Sequence, residues 1–142
     1  MSIDLATAQT IITEALATGQ QQGFKPLTVV VLDAGGHITA VARQDGASNN
    51  RFEIAHGKAY GALALGMGSR ALMERAEQQA YFITAATAAL AGRLIPVPGG
   101  VLVRDEDGMI KGAVGISGDS SDNDEIAAAT AIKASGLTAQ VD

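Results

Sequence analysis

Glu53 and His56 stand one helical turn apart in a stretch of helical periodicity, and Tyr60 follows His56 at four residues. A carboxylate, an imidazole and a phenol on one helix are ligand types for iron or for an axial position on haem. A di-iron centre needs a second Glu-x-x-His and two more carboxylates, and the sequence offers neither. The same residues also fit a solvated helix face, so spacing leaves both readings open. His37, directly after a turn, is the weaker imidazole. Lys58 lies between them in a run of glycine and alanine with few polar companions. If buried, its amine loses basicity and suits a base, an imine-forming group or a partner for a ligand carboxylate. If its head reaches water it is merely solvated.

Two further clusters have plainer explanations. Asp33-Ala34-Gly35-Gly36 ends a β-rich run, where an Asp bonds turn amides and glycine takes positive φ. Asp119 to Glu125 carries carboxylates at 119, 122, 124 and 125 but lacks the alternating ligands, Gly and terminal Glu of a calcium loop. Placed ahead of a helix, these acids and hydroxyls cap free amides and complement the dipole. No phosphate loop, dinucleotide fingerprint or G-x-S-x-G elbow is present, and there is no cysteine, which excludes disulfides, thiolate catalysis and cysteine metal sites.

The elements that must position these residues follow from periodicity. Asp4 caps an amphipathic helix that ends by Gly19 to Gly23. Residues 27–33 and 37–43 form an antiparallel hairpin around Gly35-Gly36, its first strand apolar enough to be covered on both faces. A helix spans about 49–65, with Gly57, Gly61 and Gly66 set in its apolar stripe. Those glycines cost helix stability, so they admit a close neighbour: another helix, another subunit or a flat ligand. A helical stretch from Ser69 to Leu90 breaks near Tyr81, and a second hairpin covers residues 94–103 and 109–117. A last helix runs from about Asn123 to Ser135. Hairpins separated by helices predict an α+β domain with a mainly antiparallel sheet, and residues 1–142 form a single domain without repeats or linkers.

The composition adds constraints. Of 142 residues, 27 are Ala and 17 Gly, whereas Phe and Tyr total five and Trp is absent. Small side chains bury little area each, so self-association is expected to supply part of the stability. All of the net charge of −5 lies beyond residue 103, where eight acids face three bases. No basic stripe serves a phosphate backbone, no apolar run approaches a membrane span, and no signal-peptide pattern opens the chain. A cytoplasmic protein without nucleic-acid or membrane partners is expected.

Val30-Val31-Leu32-Asp33-Ala34-Gly35-Gly36, Arg43 with Asp45-Gly46-Ala47, Glu53-Ile54-Ala55 leading to Lys58-Ala59, Pro98-Gly99-Gly100-Val101 and Gly112 to Gly118 with Asp124-Glu125-Ile126-Ala127 occur in this order along the chain. Together they resemble the GlcG/HbpS-like family, also found as the C-terminal domain of PduO-type proteins. The resemblance implies a profilin-like fold, a five-stranded mainly antiparallel sheet flanked by helices, assembling into dimers and often octamers, and an association with haem or related tetrapyrroles. Lys58 matches the family's Lys-Ala pair, and Gly99 and Gly100 match its Gly-Gly pair. Leu102 follows where the family usually has Pro, and His56 is not a residue of the motif. The leading expectation is an oligomeric haem- or tetrapyrrole-binding protein with its site at Lys58, Gly99 and Gly100, helped by His56 or Tyr60. The alternatives are a catabolic-pathway enzyme that uses Lys58 or an Asp for proton transfer on an organic acid, and an accessory oligomer without a ligand.

Overall fold

Asp4 accepts a hydrogen bond from Thr7 N at 2.8 Å and starts α1 (Leu5–Gln22), which Gly23 closes in the left-handed conformation at φ +72°. The computed structural model describes residues 2–142. The chain continues through β1 (Thr28–Asp33), β2 (Ile38–Arg43), α2 (Arg51–Leu65), α3 (Ser69–Gln78), α4 (Ala80–Ala89), β3 (Gly100–Arg104), β4 (Ile110–Ser117), α5 (Ser121–Ala134) and β5 (Thr138–Gln140). The strands form one sheet in the order β2-β1-β4-β3-β5, antiparallel throughout. The expected α+β, profilin-like architecture is observed.

Two layers cover the sheet. On one face α1 and α5 pack on Val29, Val31, Val101, Val103, Val114 and Ile116. On the other α2 packs Ala55, Ala59 and Ala62 on Val30, Leu32, Leu102 and Ala113. The continuous apolar run of β1 is therefore buried on both sides, as its sequence requires. A satellite cluster of Leu72, Ile83 and Leu94 lies under α3 and α4.

Three details differ from the sequence expectation. The helical stretch breaks at Gln79 rather than at Tyr81. Residues 94–99 are not strand; they cross the outer side of α2, where Ile95 N bonds Gly57 O at 3.2 Å. The close neighbour of the α2 glycines is this crossing: a Cβ on Gly57 would lie 2.6 Å from Ile95 Cγ1, and one on Gly61 3.0 Å from Leu94 Cγ. Gly66 instead closes the helix at φ +73°. The third difference is β5, three residues long on the sheet edge, too short to leave a periodic signal.

Gly115 sits where α2 lies lowest on the sheet, and a Cβ there would collide with the carbonyl of Ala55. Gly115→Ala is expected to lift α2 and destabilise the fold by about 1–3 kcal/mol. Urea unfolding measures this, and a loss below about 0.5 kcal/mol, the range of ordinary surface changes, would contradict the packing described.

Candidate functional site

Residues 56 and 58 are separated by about 200° around a helix turning 100° per residue, so they leave α2 on opposite flanks. Lys58 points toward the start of β3 and the end of β4. The residue is 1% exposed, and its Nζ donates to Asp124 Oδ2 at 3.0 Å and to Ile116 O at 2.9 Å. Asp124, also 1% exposed, accepts from Asp119 N through its other oxygen at 2.9 Å. The pair passes the end of the β3–β4 hairpin and ties the helix on one sheet face to the helix on the other. Desolvation pushes the Lys58 pKa down against the attraction of Asp124 and pushes the Asp124 pKa up against the attraction of Lys58. Burial thus drives both toward neutrality while each holds the other charged.

Gly99 and Gly100 do meet Lys58. At Gly99, with φ +120°, a Cβ would lie 2.8 Å from Lys58 Nζ and 2.8 Å from Ile116 O; at Gly100 it would collide with the carbonyl of Lys58. Ser69 closes this seam: its hydroxyl accepts from Gly100 N at 2.6 Å and donates to Gly100 O at 3.2 Å. These residues form a packed seam with no open space against the amine.

The opposite flank of α2 is accessible. Phe52, His56 and Tyr60, spaced by four, stack with ring centroids 5.6 Å apart at both steps. The Arg93 guanidinium lies 4.1 Å above the Tyr60 ring. Tyr60 also abuts the β1–β2 turn, since a Cβ on Gly36 would come within 3.0 Å of its ring, and a cavity of about 120 Å³ lies between that turn, Tyr60, Leu63 and Ala64. His56 is half-buried, and desolvation, then the charge of Arg93, holds its pKa below the usual imidazole value. At neutral pH the ring is uncharged, and among the described residues its nitrogens enter no hydrogen bond. Glu53, its partner in the sequence reading, is exposed, and among the described residues no hydrogen bond or ion pair joins the two. Beside this row, Leu32 and Val30 of the α2-facing side pair with Ile38 and Val41 of edge strand β2. No helix covers those two, and they stay 53% and 39% exposed.

The remaining candidates are structural. Asp33 Oδ1 accepts from Gly35 N and His37 N at 2.9 Å each, the expected turn chemistry. His37 is exposed beside Asp33. Ser120 caps α5 through Asn123 N at 3.2 Å, with Asp122 and Asp124 in its first turn. No group of three or more His, Cys, Asp or Glu capable of holding a metal occurs among the described residues.

The family profile described as haem degrading protein HbpS-like matches residues 3–133. The chain belongs to the HbpS-like family. No curated protein matches. Among solved structures, a PduOC:heme complex has 27% identity and a TM-score of 0.85, covering 96% of this chain and 97% of that one. Klebsiella pneumoniae protein ORFY has 24% identity and a TM-score of 0.85, covering 94% and 90%. HbpS has 23% identity and a TM-score of 0.80, also covering 94% and 90%. The last two likenesses establish the fold alone.

Two residues of this geometry were not among the site candidates drawn from the sequence. Asp124 was legible as a capping acid and as part of the Asp124-Glu125-Ile126-Ala127 motif, not as a partner for Lys58, although Ala127, Ala128 and Ala131 at three, four and seven residues beyond it place it on the buried stripe of α5. Phe52 completes the aromatic row by its four-residue spacing from His56. Lys58→Met is expected to cost about 3–5 kcal/mol, because it leaves Asp124 buried without a counter-charge. Adding Asp124→Leu should recover most of that loss in denaturant titrations; a single variant as stable as wild type would contradict the pairing.

Proposed function

We propose that this chain is an oligomeric haem- or tetrapyrrole-binding protein whose planar ligand lies on the His56 flank of α2. The observation that carries the reading is the neutral, unengaged imidazole of His56 set within an aromatic row and next to uncovered apolar strand surface. A tetrapyrrole needs an apolar plane, an axial donor and cations for its carboxylates. Ile38 and Val41 supply the plane, His56 the donor, and the exposed Arg93 a partner for a propionate. Bound haem would bring iron chemistry to this surface, and Tyr60 would hold Arg93 over the ligand edge.

In this reading Lys58, Gly99 and Gly100 act at a distance. The sealed seam fixes how far α2 sinks onto the sheet, and so where the His56 flank stands above β2. A sealed amine with two acceptors also gives the alternative of Lys58-mediated proton transfer on an organic acid little support. Support comes as well from membership of a family described as haem degrading and from likeness to a haem complex.

Self-association fits α4. This helix is apolar almost all round, yet only Ile83 is buried and Tyr81 is 74% exposed, a pattern that calls for a covering partner. We assign dimers or octamers built through this face. No helix among the described residues is long and apolar enough to cross a membrane, and a cytoplasmic site of action accords with that.

Haem titration of the purified protein should give a saturating Soret band at one equivalent per chain. His56→Ala should weaken binding about tenfold or more, the loss expected for one good ligand interaction. Binding to wild type should be constant above pH 6.5, where the imidazole is neutral, and should weaken as protons compete below its lowered pKa. A featureless titration, or a His56→Ala protein with unchanged affinity and spectrum, would refute the assignment.

A further inference from the structure

A cavity of about 480 Å³ lies where α1 ends and β2 gives way to a turn, lined by Gln20, Phe24, Pro26, Arg43, Gln44 and Asp45, none of them in α2. Its size falls in the range of small-molecule sites, about 300–1,000 Å³. The fold holds its walls in place. Phe24 packs on the core beside α1 and donates from its backbone N to Gly19 O at 2.8 Å. Gly46, at φ +88°, turns the chain after β2, and a Cβ there would meet Pro26 Cγ at 3.4 Å. Gln44 accepts from Leu27 N through Oε1 at 2.7 Å, which fixes its amide and leaves Nε2 as a positioned donor.

The recess carries unmatched charge of both signs. Arg43 and Asp45 are exposed two residues apart, and among the described residues neither side chain enters a hydrogen bond or an ion pair. Independently, α1 ends on this recess through Gln20 and Phe24. Its last turn holds no basic residue, so the negative end of an 18-residue helix has no cation of its own. Of the stretches that carry the family resemblance, Arg43 with Asp45-Gly46-Ala47 is the one that neither the Lys58 seam nor the His56 flank uses. Gly46 and Ala47 are accounted for by the turn, where Ala47 N donates to Gln44 O at 3.2 Å.

We propose that this recess binds a free α-amino acid with an apolar side chain. Arg43 and Gln44 Nε2 take the carboxylate, Asp45 and the C-terminus of α1 take the ammonium, and Phe24 with Pro26 forms the wall for the side chain. A zwitterion answers both signs at once. An acid without the ammonium meets Asp45 and the helix C-terminus as like charges, and an amine without the carboxylate leaves Arg43 unmatched. The site shares no residue with the His56 flank and stands whether or not haem binds there.

The test is a titration of the apo full-length protein with L-leucine, followed by amide NMR at mildly acidic pH and constant ionic strength. Saturable shifts centred on Gln20 to Phe24 and Arg43 to Gly46 are expected. L-leucinamide, which keeps its ammonium charge at that pH but lacks the carboxylate, should bind about tenfold or more weakly, as should 4-methylpentanoate, which lacks the ammonium. Arg43→Gln should remove the preference for leucine over leucinamide, and Asp45→Asn the preference over 4-methylpentanoate. Both residues are exposed, and the two analogues probe the same contacts on the unaltered protein. Non-saturating shifts, shifts centred elsewhere, either analogue bound as tightly as leucine, or leucine affinity unaltered in Arg43→Gln would each overturn the proposal.

Discussion

The ion pair between Lys58 and Asp124 is the constraint on which the rest of the molecule depends. Two charges removed from water beside the Ile116 carbonyl join the helical layers on both faces of one sheet. A hydrophobic contact would tolerate sliding; this pair accepts little, because displacing either partner leaves a charge buried and unpaired. Glycine makes the arrangement possible. Side chains at Gly99, Gly100 or Gly115 would enter the space that Lys58 and the α2 backbone occupy. Glycines of the small-residue excess therefore serve close backbone approach within the chain.

From that anchor the functional surface follows. With α2 held low over β4, β3 and β1, its His56 flank overlooks the uncovered edge strand, while Arg51 at its N-terminus bonds Ser117. One helix thus carries three environments: a sealed charged seam, an aromatic flank and an N-terminal turn tied to β4. They are distinct because the 100° turn of the helix distributes residues 51, 56 and 58 to different neighbours. The second ion network, Arg70 with Asp122 and Glu125 at 2.6 and 3.0 Å, holds α3 against α5 beside the seam.

Much of this was legible in the sequence. Helix caps at Asp4 and Gly23, the Asp33 turn and the doubly buried β1 are local signals with a single physical solution, and the family motifs located the meeting of Lys58 with Gly99 and Gly100. The sense of that meeting was not legible. Whether a lone lysine lines a pocket or lies sealed depends on what lies across from it, and Asp124 is 66 residues away. Likewise the α2 glycines announced a close neighbour without naming it, since the crossing at Leu94 and Ile95 is set by tertiary packing. The three residues of β5 are held by pairing with β3 and have no pattern of their own.

The central claim, that the ligand surface is the His56 flank while the Lys58 seam only supports it, is tested most directly by paramagnetic broadening of amide NMR signals on addition of ferric haem. The account predicts broadening centred on Gly36 to Val41, Phe52, His56, Tyr60 and Arg93, with Gly99, Gly100 and Asp119 to Asp124 retained. Broadening centred on Gly99, Gly100 and Asp124, with Ile38 and Val41 unaffected, would contradict it.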